Sequence, residues 1–95
     1  MANASMAHAK PSDLKDLQAA LDEVRAWPRI KERSPNIFYL GPNPFLHFHT
    51  DGARLWADAK KPDGDWAEIP ATTKTQRAKL LATIKSHYAR LAERG

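Results

Sequence analysis

Two histidines separated by one residue are the feature of this chain best suited to chemistry. They lie in the alternating run Phe45-Leu-His-Phe-His-Thr50, which is typical of a β-strand. On a strand, His47 and His49 point to the same side, about 6.5–7 Å apart along the backbone. Both imidazoles can therefore reach one divalent metal ion, and Asp51 and Asp58 offer carboxylates nearby. The same residues also suit proton transfer near neutral pH.

Each of these residues also has a purely structural explanation. Asp51-Gly52 forms the turn between two alternating runs, and its carboxylate is expected to accept backbone amides of that turn. A catalytic zinc site uses three protein ligands and a water, whereas only two ligands are well placed here. The chain has no cysteine nucleophile, and neither Ser34 nor Ser86 lies in a nucleophile motif. We therefore expect no catalysis and no cofactor, with a divalent metal on His47 and His49 as the alternative.

A two-residue loop at Asp51-Gly52 fixes the predicted register of the hairpin. It places His49 opposite Arg54. The next pair on that face is His47 with Trp56. Because side chains alternate across a sheet, one face is aliphatic and belongs to the core. The other face holds the candidate ligand or interface residues, which are Phe45, His47, His49, Arg54, Trp56 and Asp58.

The flanking segments predict one helix on each side of the strands. The first helix has Ser12 as its N-cap and ends before Pro28. Its apolar stripe consists of Leu14, Leu17, Leu21 and Val24. The second helix begins at a capping box formed by Thr73 and Gln76 and runs to about Ala92. Its apolar stripe consists of Leu80, Leu81, Ile84, Tyr88 and Leu91.

Strands are predicted between the two helices. Residues 37–40 and 65–69 are rich in β-branched and aromatic side chains, and the hairpin lies between them. Residues 29–35 form a charged connector for which a strand beginning near Ile30 stays open. The order predicts an α+β two-layer sandwich with an N-terminal helix, a three- to four-stranded antiparallel meander and a C-terminal helix.

Length and composition predict one domain. The chain has 95 residues, 42% of them hydrophobic and 27% charged, which excludes wholesale disorder. Residues 1–11 are small and polar and predict a disordered tail, so residues 12–95 form the domain. No apolar run approaches the roughly 18 residues of a membrane span. The absence of cysteine and of a secretory signal favours a cytoplasmic location.

Positive charge is concentrated at the end of the chain. The net charge is +4, and residues 71–95 hold six basic residues against Glu93 alone. Such a face attracts phosphate, so nucleic-acid binding is one hypothesis. Its candidate contacts are Lys79, Lys85, Arg90 and Arg94. A solvated helix face explains the same charges, because the helix lacks the aromatic platforms of nucleic-acid modules.

A resemblance to a known family follows from several short motifs. These are Val24-Arg-Ala-Trp-Pro28, Phe38-Tyr39, Phe45-Leu-His-Phe-His49 with Asp51-Gly52, and Tyr88-Ala-Arg90. Together they resemble small bacterial domains labelled luciferase-like, in which a helix, a sheet with a His-x-His element and a closing helix follow one another. The resemblance implies an α+β fold, with His47 and His49 as the positions that carry over, and assigns no activity. The chain departs from the family after the hairpin, where it lacks a second histidine-bearing segment.

The face of the sheet left without a helix determines the predicted function. An aromatic and histidine-rich patch of this kind marks a partner surface or a ligand groove. A second copy of the chain is the simplest partner, so we expect a small self-associating interaction module. Two alternatives stay open. The face could hold a metal or small ligand, or the connector or one helix could fold over it.

Overall fold

A computed structural model describes residues 7–94 of the chain. Its elements are, in chain order, β1 (Ala7–His8), a 3₁₀ helix (Pro11–Leu17), α1 (Gln18–Ala26), β2 (Ile30–Ser34), β3 (Ile37–Leu40), β4 (Asn43–Thr50), β5 (Leu55–Lys60), β6 (Trp66–Pro70) and α2 (Lys74–Arg94). Among these residues, neither helix has the length and apolar character needed to cross a bilayer.

The strands form one antiparallel sheet with the helices against a single face. Strands β2 to β6 are neighbours in chain order, and β1 pairs with the end of β4. Apolar residues of α1, α2 and the 3₁₀ helix pack on the sheet residues Phe38, Phe48 and Ala57. The predicted α+β arrangement is therefore confirmed, although three to four strands was too low a count.

The N-terminal helix begins earlier than its sequence signal indicates. Ser12 was the expected N-cap, but the 3₁₀ helix already includes Pro11, a residue favoured in the first turn. The backbone amide of Lys10 donates to the Asp13 carboxylate at 2.8 Å and closes the first turn. Residues 1–6 of the predicted tail lie outside the described residues. Ala7–His8 of that tail instead forms β1, opposite Thr50 and His49.

The two predicted apolar stripes form the core. All four stripe residues of the first helix are at most 2% exposed. In α2, Leu80 and Ile84 are buried, while Leu81, Tyr88 and Leu91 pack at the margin of the core. The predicted capping box also forms, because Thr73 and Gln76 exchange backbone-to-side-chain hydrogen bonds of 3.0 and 3.1 Å.

The charged connector is mainly a strand. Residues Ile30–Ser34 pair with β3, so this segment extends the sheet at its edge and does not fold over a face. The return turn contains Asn36, which has a φ of 64° in the left-handed region that asparagine tolerates. The Glu32 carboxylate accepts the Asn36 amide at 2.7 Å and also pairs with Arg25, which fixes this turn against α1.

The central hairpin has a longer loop than predicted. Strand β4 ends at Thr50 and β5 begins at Leu55, and these two residues are register partners. Gly52 has a positive φ of 96°, but Asp51 does not, so the two-residue turn does not form. Instead, the Asp51 carboxylate accepts the amides of Ala53 and Arg54 at 3.0 and 2.7 Å. Each residue of β4 therefore faces a residue two positions further along β5 than predicted.

A bulge in β4 places Phe45 in the core. Phe38 pairs with Leu46 and Tyr39 with Pro44, which leaves Phe45 as an extra residue in the ladder. Phe45 and Leu46 are both 0% exposed, and the Phe45 ring lies edge-on to Tyr88 with 6.2 Å between the ring centroids. The prediction that Phe45 shares a face with the histidines is therefore wrong, because strict alternation breaks at the bulge.

Candidate functional site

The side of the sheet opposite the helices carries the functional groups and is called the open face here. Register pairs place His47 opposite Asp58, and His49 opposite Trp56. Strand β6 adds further residues to this face through the pairs Asp58–Glu68 and Lys60–Trp66. The open face therefore includes Tyr39, His47, His49, Trp56, Asp58, Lys60, Trp66 and Glu68.

Three potential metal ligands meet at the centre of the open face. His47, His49 and Asp58 each offer one ligand atom, and these atoms lie within 4.8 Å of one another. The Nε2 atom of His49 is 2.9 Å from Oδ2 of Asp58. In a tetrahedral site with bonds of about 2.0–2.2 Å, ligand atoms lie about 3.3–3.6 Å apart. Closing the group around an ion therefore requires its ligand atoms to approach one another by no more than about 1.5 Å.

The ligand group is partly withdrawn from solvent. The side chains of His49 and Asp58 are only 14% and 19% exposed, and the two imidazole centroids are 4.7 Å apart. The Trp66 ring lies edge-on to His47 at 5.0 Å, and the His49 ring lies 5.8 Å from Trp56. These aromatic neighbours restrict imidazole rotation and lower the local dielectric, which strengthens binding of a cation by a carboxylate.

Trp56 lies on the predicted face but is not available to a partner. It is 8% exposed, because Arg54 and His49 pack on it. The Arg54 guanidinium lies 5.2 Å from the Trp56 ring centroid, and Arg54 itself belongs to the hairpin loop. Trp56 is thus a structural residue of this face. Trp66, at 38%, is the exposed large hydrophobic residue within the described part of the chain.

Asp51 acts in the turn and not in the ligand group. Its carboxylate accepts the backbone amides of Arg54 and Ala53 and also pairs with the Arg54 guanidinium at 3.0 Å. These hydrogen bonds lower the pKa of Asp51 below its ordinary value. The structural explanation of Asp51 is confirmed.

The basic residues of α2 are only partly free. Lys79 and Arg90 are exposed, whereas the Lys85 ammonium lies 3.5 Å from the Glu23 carboxylate of α1. The side chain of Arg94 lies outside the description. His87, also on α2, is separate from the ligand group. Burial, together with Lys61 and Arg90, lowers the pKa of His87.

The sequence pattern offers Asp58 only as a nearby carboxylate and not as a member of the ligand pair His47 and His49, and it does not assign Lys60 or Trp66 to this face. The misassigned loop length moved Asp58 two residues away from its true partner, His47. Alternation along β6 places Trp66 and Glu68 on the same face of the sheet, but it does not say which face. That choice requires the β5–β6 register, which the residues of the turn do not fix.

Comparisons with known proteins add no relative. No family model, curated protein or solved structure matches the chain. The resemblance to luciferase-like domains stays a prediction, and the geometry of the open face is the remaining basis for a function.

Proposed function

We propose that this protein binds a divalent transition-metal ion on the open face through His47, His49 and Asp58. The observation that carries the proposal is the convergence of three ligand atoms within 4.8 Å. Two imidazoles and one carboxylate suit Zn²⁺ or Fe²⁺ better than Mg²⁺ or Ca²⁺, which prefer oxygen ligands. The remaining coordination positions would be open to water or a small ligand, as in three-ligand metal sites.

The sheet supplies rigidity to this ligand set. His47 and His49 project from one strand, and Asp58 projects from its hydrogen-bonded neighbour, so backbone pairing fixes their spacing. In the metal-free protein, the Nε2 atom of His49 lies 2.9 Å from Oδ2 of Asp58. Zn²⁺ binds the unprotonated forms of imidazole and carboxylate, so its affinity should fall as the pH is lowered.

Thermal denaturation with and without Zn²⁺ tests the proposal. Free ligand at about 100 times its Kd stabilises a folded protein by about 2.7 kcal/mol. For a domain of this size, that corresponds to a rise in Tm of roughly 10 °C or more. Mg²⁺ at the same concentration should give no comparable rise.

A paired set of variants identifies the site. The double variant His47→Ala/His49→Ala should lose the Zn²⁺-dependent rise in Tm. His87→Ala is the matched control, because it removes a histidine outside the ligand group. If the wild-type protein shows no rise, or if the double variant keeps it, the proposal is wrong.

Self-association through the open face is a second candidate, supported by the 38% exposure of Trp66. Trp56 is buried within the protomer, so Trp66 takes its place as the aromatic anchor. Sedimentation of the wild type and of Trp66→Ala tests this function. A wild-type monomer at about 100 μM would exclude a homo-oligomer of even weak affinity. Nucleic-acid binding by α2 and the cytoplasmic location stay predictions.

A further inference from the structure

A separate cavity of about 450 Å³ lies at one end of the sheet, and its size suits a small organic ligand. It is bounded by the ends of three strands, the β5–β6 turn and the last turns of α2. Pro44, Pro62 and Leu91 supply apolar surface, and Arg29 and Lys60 belong to the lining as cations. The three metal ligands of the open face do not line this cavity.

The positive charges of Arg29 and Lys60 are not neutralised by a carboxylate of the cavity lining. Asp63 also lines the cavity, but its carboxylate accepts the Asp65 amide at 2.9 Å and lies 3.7 Å from the Lys61 ammonium. Within residues 7–94, neither Arg29 nor Lys60 forms an ion pair. The Lys60 ammonium lies 4.4 Å from the Trp66 ring centroid, which positions it without cancelling its charge. The cavity lining therefore includes two cations that have no carboxylate partner among residues 7–94.

Arg29 occupies a backbone position that favours glycine. It is the third residue of the turn Trp27–Ile30, closed by a 3.2 Å hydrogen bond, and its φ is 69°. Proline followed by a residue of positive φ indicates a type II turn, in which glycine is the usual third residue. The turn is held in place because Tyr88 donates to the Pro28 carbonyl at 2.8 Å. Strain of this kind, kept by surrounding contacts, is typical of functional positions.

The guanidinium of Arg29 lies against Gly41, where a side chain is absent. Its Nη2 atom is 3.2 Å from the position that a Cβ on Gly41 would occupy, so a larger residue there would crowd the guanidinium. The Gly41 amide also donates to the Arg29 carbonyl at 2.9 Å. Both the backbone and the side chain of Arg29 are therefore positioned by neighbours.

We propose that this cavity binds a small monocarboxylate with an apolar body, whose carboxylate pairs with Arg29 and Lys60. Guanidinium and ammonium groups are the usual partners of carboxylates, and the apolar walls suit an aryl or branched alkyl group. This site is independent of the proposed metal centre, so it can be tested in the presence of a chelator.

Phenylacetate is the probe, and phenylacetamide is its neutral control of nearly equal shape. Amide resonances of Gly41 and Gly64, followed by NMR titration, report binding at this end of the sheet. Phenylacetate should shift them in a saturable way below about 10 mM, and phenylacetamide should bind roughly tenfold more weakly, or about 1.4 kcal/mol. Equal binding of the two probes, or no saturable shift, would overturn the proposal.

The variant Arg29→Gly removes the guanidinium and should keep the fold, because glycine adopts the positive φ of this position without strain. We expect its Tm to be at least that of the wild type, while phenylacetate affinity falls roughly tenfold or more. Lys60→Gln should also weaken binding. Arg33→Ala, which removes a cation stacked on Tyr39 and outside the cavity lining, should leave affinity unchanged. If the Arg29→Gly variant is folded and binds phenylacetate with wild-type affinity, the assigned role of Arg29 is wrong.

Discussion

His49 Nε2 lies 2.9 Å from Asp58 Oδ2, although the residue directly opposite His49 in the hairpin is Trp56. The contact is diagonal across β4 and β5. Because His47 is the direct partner of Asp58, this one carboxylate lies beside both imidazoles. The metal proposal depends on this arrangement.

Asp58→Asn distinguishes a metal ligand from a hydrogen-bond partner. The asparagine carbonyl still accepts from His49 but lacks the charge that favours a divalent cation. We expect the metal-free protein to lose less than about 1 kcal/mol of stability. Zn²⁺ affinity should fall by roughly 100-fold, since even indirect changes around metal ligands cost about 10–100-fold. Calorimetric titration of this variant and of Asp63→Asn gives the comparison. Equal Zn²⁺ affinities in the two variants would contradict the assigned role of Asp58.

Trp56→Ala and Trp66→Ala should differ in their effect on folding. Trp56 is 8% exposed and Trp66 is 38% exposed, although both lie on the open face. Removing a buried tryptophan costs about 3–5 kcal/mol because it leaves a cavity. Removing the more exposed ring should cost about 1 kcal/mol or less. Urea denaturation measures both changes, and similar losses would mean that Trp56 is not the structural residue of this face.

Tyr88→Phe tests how the turn before β2 is fixed. The tyrosine hydroxyl donates to the Pro28 carbonyl at 2.8 Å, and its ring stacks on Trp27 with a centroid distance of 4.7 Å. Phenylalanine keeps the stacking and loses the hydrogen bond, which should cost about 1 kcal/mol. Tyr39→Phe is the control, because no hydrogen bond from its hydroxyl is found within residues 7–94. A stability loss no larger than that of the control would show that the hydrogen bond contributes little.

Glu32→Gln should have a pH-dependent effect on stability. Hydrogen bonds from Arg25, and further from the Asn36 amide, lower the pKa of Glu32 below its ordinary value of 4.5. Because the pKa is lower in the folded state, ionised Glu32 stabilises the fold above its unfolded pKa. That contribution disappears as the pH falls through the folded value.

The expected loss for Glu32→Gln is about 1–2 kcal/mol at about pH 7, since a charge-assisted pair is replaced by a neutral one. The difference from the wild type should shrink toward about pH 3, as the pH falls through the lowered folded pKa of Glu32 and its side chain becomes neutral like glutamine. Urea denaturation at the two pH values measures this convergence. A constant difference would show that the Glu32 charge does not stabilise the fold.

The predictable part of this fold rests on local signals. The leucine stripe before Pro28 and the Thr73–Gln76 capping box specify their helices because residues three to four apart share a face of the same helix. Likewise, the predicted face of each residue paired between β4 and β5 is correct although the predicted loop length is wrong. A loop longer by two residues shifts the pairing by two residues and leaves each side chain on its face. His47, His49 and Asp58 were therefore on one face in the prediction and in the structure.

Tertiary structure decided which of these residues meet. The Asp51 carboxylate binds two backbone amides of its own loop, and the longer loop brings Asp58 opposite His47. The bulge at Phe45 turns that ring into the core, where it packs near Tyr88 from the far end of the chain. Arg29 lines a cavity bounded by the ends of three strands, the β5–β6 turn and the last turns of α2. The sequence by itself determined both helices, the strands β3 to β6 and, apart from Phe45, the side of each residue of the central hairpin strands, because periodicity is local. Register, the bulge and the cavity depend on contacts between distant segments, so only the tertiary structure decided them.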